Sequence, residues 1–211
     1  MTGLVRKATL LTAAGLLAAS AAMAGVPSAA NSTTPSCISL VGNTAGVPDA
    51  TGTFTVVVRD LANNPLSGAS VVVDLSGCTE LAICDDQLDA NALVTCGSKT
   101  TRKFTDGLGS VTFTVLGGGN GNPAATLLGG AKIFANGTLI ASPTAAAYDQ
   151  DGQLGIGASD LSSFLGDFAS GINYGRSDFD CTGSIGAGDL SAWLTVFANG
   201  TSQASCVTAC P

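Results

Sequence analysis

The sequence predicts two folded domains of different class, an all-β sandwich followed by a small α domain. Between residues 36 and 146, about seven short β-branched segments alternate with turn formers. Beyond residue 146, two similar segments related by a 29-residue offset carry apolar residues at helical spacing. Seven cysteines and an apolar N-terminal run predict in addition that the chain is exported.

An export signal is predicted at the N-terminus. Two cations precede an apolar run that ends at the small-x-small sequence Ala22-Met23-Ala24. We therefore expect residues 1–24 to be a signal peptide that is removed, because a retained membrane helix fits this Ala-rich run less well. Residues 25–35 are rich in Pro, Ser and Asn and are expected to be a disordered leader. No second long apolar run follows, so a secreted, extracellular or cell-surface protein without a membrane span is predicted.

The charge balance argues against nucleic acid as a partner. The chain carries 15 Asp and Glu against 8 Lys and Arg, a formal net charge of −7, and the signal peptide would remove two of the cations. The six remaining cations are scattered and form no phosphate-binding stripe. The chain contains no histidine, which removes the commonest general base and the commonest transition-metal ligand. The excess of carboxylates therefore predicts that the chain binds a cation.

The seven cysteines predict disulfides, because thiols of exported chains are oxidised. No C-x-x-C pair is present, which argues against a zinc site. Sequence alone does not fix the connectivity. The expected pairs are Cys84 with Cys96, Cys37 with Cys78, and Cys181 with Cys206 or Cys210 in a disulfide-tied tail over residues 201–211. The odd count leaves one thiol unpaired or intermolecular.

Short β-strands are predicted throughout residues 36–146, since β-branched segments alternate there with turn-forming residues. The predicted strands are 37–41, 53–61, 69–75, 100–105, 110–116, 131–135 and 138–142. Asn136-Gly137, between the last two, is the strongest short hairpin signal. An antiparallel sandwich that buries one face of each of two sheets satisfies this pattern best, with a β-barrel as the alternative.

This segment resembles bacterial immunoglobulin-like domains of the invasin and intimin kind. The resemblance lies in VVVRDLANNPLSGASVVVDL, in the later TDGLGSVTFTV and in the closing Asn-Gly hairpin. It implies an immunoglobulin-like sandwich that serves as a spacer, a stalk or an adhesive surface.

An internal repeat occupies residues 147–200. The segments DQDGQLGIGASDLSSFLGDFASG (149–171) and DFDCTGSIGAGDLSAWLTVFANG (178–200) are identical at 12 of 23 positions without gaps. Each begins with alternating acidic residues and continues with apolar residues at i, i+3, i+4 and i+7. Those apolar residues are Leu161, Phe164, Leu165 and Phe168 in the first copy, and Leu190, Trp193, Leu194 and Phe197 in the second. We expect these stripes to form the core between two helices.

The second copy predicts a calcium loop. Asp178, Asp180 and Thr182 stand at the first, third and fifth positions, so their oxygens converge, and a glycine at the sixth permits the sharp turn. The Ser184 carbonyl at the seventh position and the Asp189 carboxylate at the twelfth complete the set. Ligands that are all oxygen select a hard cation, and the flexible, ligand-rich loop favours Ca²⁺ over Mg²⁺.

The first copy predicts a second, weaker calcium loop. The expected ligands are Asp149, Asp151, Gln153, the Gly155 carbonyl and Asp160. Leu154 stands at the sixth position in place of glycine. Because a left-handed backbone at a leucine costs about 1 kcal/mol, this loop is expected to bind weakly or to take a different path.

Two loop–helix units without a helix before each loop resemble a type I dockerin, and the Asp-Leu pair at the twelfth and thirteenth positions fits that family. The resemblance covers residues 149–199. It implies a dockerin-like domain over 147–200 with two EF-hand-type loops, ordered by calcium, whose helix face binds a cohesin-like or other surface protein. The tenth and eleventh positions, where recognition concentrates in the family, are Ala158-Ser159 and Ala187-Gly188. They depart from the usual Ser-Thr-type pair.

No enzymatic activity is predicted. The β segment contains no His and a single Glu, and Asp85, Asp86 and Asp89 share one loop instead of forming the two separated acids of a glycosidase. We expect a secreted, non-catalytic protein in which a calcium-ordered dockerin-like module mediates attachment and the sandwich is a spacer or adhesive module. The alternative is a carbohydrate-binding accessory component of an extracellular polysaccharide-degrading complex. The absence of Trp and Tyr before Tyr148 argues against this alternative.

Overall fold

A computed structural model describes residues 25–121, 130–153, 155–200, 202, 206 and 208–210 of the 211-residue chain. The predicted signal peptide lies outside the described residues. Within the described ranges, neither helix has the length and apolar character needed to cross a membrane.

The described residues form short strands and two α-helices. The strands are β1 (Cys37–Leu40), β2 (Asn43–Thr44), β3 (Val47–Pro48), β4 (Thr53–Val57), β5 (Ser70–Asp74), β6 (Leu81–Ile83), β7 (Leu93–Thr95), β8 (Thr100–Phe104), β9 (Ser110–Thr114), β10 (Gly117–Gly119), β11 (Lys132–Ala135), β12 (Thr138–Ala141) and β13 (Thr144–Ala147). The helices are α1 (Ala158–Ser170) and α2 (Ala187–Asn199).

The largest sheet contains five antiparallel strands in the order β12-β11-β5-β8-β7. Smaller ladders pair β4 with β9, β6 with β10 and β2 with β3, all antiparallel. Alternate apolar residues of β4, β5, β9 and β11 meet in one buried core. The predicted hairpin between β11 and β12 is confirmed, since Asn136 and Gly137 both have positive φ, 45° and 80°.

A parallel ladder between β1 and β13 was not predicted. Cys37 pairs with Thr144 and Leu40 with Ala147. The strand that ends the β region therefore lies beside the strand that begins it. Because Asp149 follows β13 by two residues, the first loop of the repeat starts at the edge of this ladder.

The prediction of an immunoglobulin-like sandwich followed by a separate dockerin-like α domain is wrong. The protein is mostly β with several small sheets, and its two helices share a core with the β region. Phe164 of α1 and Trp193 of α2 belong to the same buried cluster as Val41 and Leu116. Two helices of 13 residues present too little apolar surface to stabilise one another alone, and they complete their core on the β strands.

Three disulfides join the β region to the C-terminal region. The pairs are Cys37–Cys181, Cys84–Cys206 and Cys96–Cys210. The predicted pairs are wrong, because they linked cysteines near in sequence whereas the tail folds back along the β region. The Cys210 amide donates to the Ile83 carbonyl at 2.7 Å. Three disulfides are compatible with a secreted protein.

Cys78 is the remaining thiol, and it is buried with 1 % of its surface exposed. Burial raises its pKa to about 12, so it carries almost no thiolate at neutral pH. We expect Cys78 to resist iodoacetamide at pH 8 in the folded protein and to react fully in guanidinium chloride, as followed by mass spectrometry. Alkylation of the folded protein, or a dimer linked through Cys78, would contradict this expectation.

Residues 25–35, the expected leader, form backbone hydrogen bonds with the β region. The Ser28 amide donates to the Arg59 carbonyl at 2.8 Å, and Thr33 and Val57 exchange backbone hydrogen bonds of 2.8 and 2.9 Å. Strand β4 pairs with β9 along one edge only, and unpaired edges recruit extended chain. The N-terminal segment covers the other edge.

Candidate metal centre

Each repeat brings three carboxylates together. The two sets are Asp149, Asp151 and Asp160 in the first loop, and Asp178, Asp180 and Asp189 in the second. Within each set, the candidate ligand oxygens lie within 4.8 Å of one another. The first and twelfth residues of both loops are buried. Six of the ten predicted ligands are thus held in two compact clusters, and metal binding by them stays a prediction.

The twelfth-position carboxylates share two backbone contacts in both copies. Asp160 and Asp189 stand in the first turn of α1 and α2, where backbone amides lack intrahelical partners. One oxygen of each accepts the amide of the glycine before its helix at 2.7 Å. The other oxygen accepts the amide of the third loop residue at 3.0 Å, and in the first loop this oxygen also accepts the Gln150 amide at 2.7 Å. Each helix start is therefore tied to the beginning of its own loop.

The second loop gathers its remaining predicted ligands. The carboxylate of Asp178 accepts the amides of Thr182 and Gly183, both at 3.0 Å. The Thr182 hydroxyl lies 3.2 Å from the Ser184 carbonyl oxygen. The side chain at the fifth position and the carbonyl at the seventh are therefore neighbours, as a calcium loop requires.

The first loop follows a similar path around Asp149, whose carboxylate accepts the amides of Gly152 at 2.8 Å and Gly155 at 3.1 Å. Gln153 contacts the cluster through its backbone amide, which donates to Asp151, and the structure gives no contact that brings its side chain there. Leu154, and with it the expected strain at the sixth position, lies outside the described residues.

A left-handed residue at the fourth position is common to both loops and was missed from the sequence. Gly152 has φ 72° and Cys181, its counterpart, has φ 62°. Gly152 is thus suited to this turn. The Cys37–Cys181 disulfide anchors the same turn of the second loop to β1. The signal available in the sequence was the glycine at the fourth position of the first copy.

A close backbone approach positions the first loop against the β region. The Gly119 amide donates to the Asp149 carbonyl, and a Cβ added at Gly119 would overlap the Gln150 carbonyl. Only glycine therefore allows β10 to lie beside the start of this loop.

The electrostatics of both loops favour a bound cation. Burial raises the pKa of Asp160 and of Asp178, and the neighbouring carboxylates Asp149 and Asp189 respectively raise it further. A divalent cation would reverse this effect by stabilising the ionised forms. Each oxygen of Asp178 accepts one backbone amide and keeps a second lone pair for a metal, whereas one oxygen of Asp160 already accepts two amides. The donor set, all oxygen, fits a hard cation such as Ca²⁺.

The helices expose half of the stripe that was expected to be core. Phe164 and Trp193 are buried, each 1 % exposed, whereas the next apolar positions point outward. The exposed residues are Leu165 (45 %) and Phe168 (54 %) on α1, and Leu194 (44 %) and Phe197 (45 %) on α2. These residues are equivalent in the repeat, and we call them the paired apolar faces. The core interpretation is wrong for these four residues.

No protein-family model matches the chain, and no curated protein or solved structure is significantly similar to it.

Proposed function

We propose that this is an extracellular, non-catalytic attachment protein, in which two calcium loops order a helix pair that binds a protein partner. The β region serves as a spacer or adhesive support. The observation that carries the proposal is the duplication of one unit. Each copy contains a carboxylate cluster, a helix whose first turn holds the twelfth loop residue, and an exposed Leu-Phe pair on that helix.

Calcium acts on the apolar faces through the helix starts. Asp160 and Asp189 belong both to a carboxylate cluster and to the first turn of a helix. A cation that holds them therefore fixes each helix N-terminus against its loop. Leu165 and Phe168 lie on the next turns of α1, so their position depends on that anchor. The same relation holds on α2.

A protein partner suits the exposed side chains better than a glycan. Sugar-binding platforms use exposed Trp or Tyr, but the one Trp of the chain is buried and its Nε1 donates to the Tyr148 carbonyl at 3.2 Å. Of the two tyrosines, Tyr148 is buried, and Tyr174 is half-buried with Arg176 over its ring. Exposed Leu and Phe in paired positions are typical of protein interaction surfaces.

The disulfides make the attachment rigid. All three cross between the β region and the C-terminal region. A force applied to the helices is therefore carried covalently into the β strands, without a hinge between two domains.

To test the proposal, the full chain is immobilised and the extracellular and surface proteins of the producing organism are passed over it. We expect one or a few proteins to be retained in calcium and released by EGTA. The double substitution Phe168→Ser and Phe197→Ser should reduce retention at least tenfold, because it removes the centre of both apolar faces. The matched control is Phe104→Ser, since Phe104 is as exposed as Phe168, at 54 %, but lies on β8.

Equal retention by the double variant and the wild type would contradict attachment through the helices. Retention of polysaccharide by the full chain, unaffected by EGTA, would favour the carbohydrate-binding alternative instead. Circular dichroism of each variant must match the wild type, so that a loss reports binding and not folding.

A further inference from the structure

Asp60 is a buried carboxylate, 2 % exposed, at the junction of the N-terminal segment and the turn after β4. One oxygen accepts the amides of Ala62 at 2.9 Å and Asn64 at 2.8 Å. The other accepts the Asn64 side-chain amide and the Gly25 backbone nitrogen, each at 3.3 Å. The Asp60 carbonyl also accepts the Asn31 side chain at 2.8 Å. Asp60 therefore holds the first described residues to the β region.

Within the described ranges, no lysine or arginine pairs with this carboxylate. The two ion pairs there are Lys103–Asp89 and Arg176–Asp167. Arg59, next along the chain, donates instead to the Asn63 carbonyl at 3.1 Å. The hydrogen bond from the Asn64 amide lowers the pKa of Asp60, so a buried anion persists at neutral pH with only neutral donors. A buried anion of this kind is stabilised by a cation.

The predicted signal-peptide cleavage supplies that cation. Cleavage after Ala24 makes Gly25 the first residue. The Gly25 nitrogen already donates to the Asp60 carboxylate, and Pro27 forms an antiparallel β-bridge with Asp60. Hydrolysis of the Ala24–Gly25 bond by the export peptidase consumes one water. It leaves a carboxylate on Ala24 and an amine on Gly25 that takes up a proton. The Gly25 nitrogen, which offers Asp60 a single N–H as an amide, becomes an ammonium group with three N–H donors.

We propose that Asp60 is a binding site for the α-ammonium of Gly25, formed when the signal peptide is removed. The mature fold thereby gains an ion pair that the precursor lacks, and the position of cleavage matters to within one residue. The inference rests on cleavage after Ala24 and is independent of calcium.

The first test is the pKa of the Gly25 amine in a chain that begins at Gly25, followed by NMR of the Gly25 Cα resonance. An ordinary α-amine has a pKa of about 7.7–8.0. We expect a pKa raised by about half a unit or more, and a return to the ordinary value in Asp60→Asn. The control is Asp106→Asn, because Asp106 also accepts two amides of its own turn, at 2.8 and 2.9 Å. It should leave the amine unchanged.

The second test compares the Gly25 chain with one that begins at Ala24 and retains Asp60. The longer chain should melt about 1–3 °C lower at pH 6. Because the folded amine has the higher pKa, its stabilisation is complete below the unfolded value and disappears as the pH rises through the folded one. The difference should therefore vanish near pH 10. Arg59 stays charged throughout this range.

Three results would overturn the inference: a mature N-terminus other than Gly25 on sequencing of the exported protein, an amine pKa equal in wild type and Asp60→Asn, or equal melting of the two chains at pH 6. If Asp60→Asn does not fold, the comparison of the two chain starts decides alone.

Discussion

Chelation of calcium from the full chain is expected to lower its melting temperature by about 10 °C. A site with a Kd one thousandfold below the calcium concentration stabilises the folded state by about 4 kcal/mol, and a chain of this size gains about 2–4 °C per kcal/mol. The physical source is the buried carboxylates of each loop, which repel one another when ionised without a cation. Differential scanning calorimetry in 1 mM CaCl₂ and in EGTA measures the difference.

Substitutions at the twelfth position assign the effect to each loop. Asp189→Asn removes a charge from the second cluster and Asp160→Asn from the first, so isothermal titration should fall from two calcium ions to one in either variant. Both substitutions also disturb helix-start hydrogen bonds. For that reason the decisive quantity is the calcium-dependent change in melting temperature, and not the melting temperature itself. Asp86→Asn, in an exposed loop outside both clusters, is the control and should behave as the wild type.

The metal centre would be refuted if the protein melted at the same temperature in EGTA and in calcium and if the titration detected no bound calcium. The paired apolar faces would then need another explanation for their duplication. A single strong site that survives Asp160→Asn and is lost in Asp189→Asn would restrict calcium to the second loop.

The features that the sequence predicted well are those set by neighbouring residues. The spacing of Asp178 and Asp180 within one short loop determines where their oxygens point, because few backbone paths connect them. The Asn136-Gly137 turn fixes its hairpin for the same reason, since both residues tolerate positive φ. In the first loop, the left-handed turn at Gly152 was not predicted, because the fourth position was not considered.

Features set by long-range contacts were not predictable in this way. The apolar stripe of α2 is broad enough to be buried along either side, and burial of Trp193 instead of Phe197 depends on Tyr148, 45 residues earlier. The disulfides join residues 114 to 144 positions apart, a separation at which proximity in sequence gives no guidance. The independence of the helix pair was inferred from its repeat, but a repeat shows a common unit and not a self-sufficient one.

The isolated segment of residues 147–211 is accordingly expected to remain unfolded even in calcium. It loses Val41 and Leu116 from the core beneath its helices, and each of its three cysteines loses its partner. In the chain-entropy model, a cross-link that closes a loop of about 100 residues contributes roughly 4–5 kcal/mol. Helices of 13 residues are marginal in water without tertiary contacts.

Circular dichroism of this segment at 222 nm, in 1 mM CaCl₂ and in EGTA, should show little helix and no cooperative melting in either buffer. The three cysteines are replaced by serine, so that incorrect disulfides do not confuse the result, and the oxidised full chain serves as the folded reference. A cooperative, calcium-dependent transition in the segment would mean that local loop chemistry is sufficient to order the helices. The shared core with the β region would then be an accessory to a self-folding calcium unit instead of its foundation, because metal binding alone would supply the free energy that we assign to Val41 and Leu116.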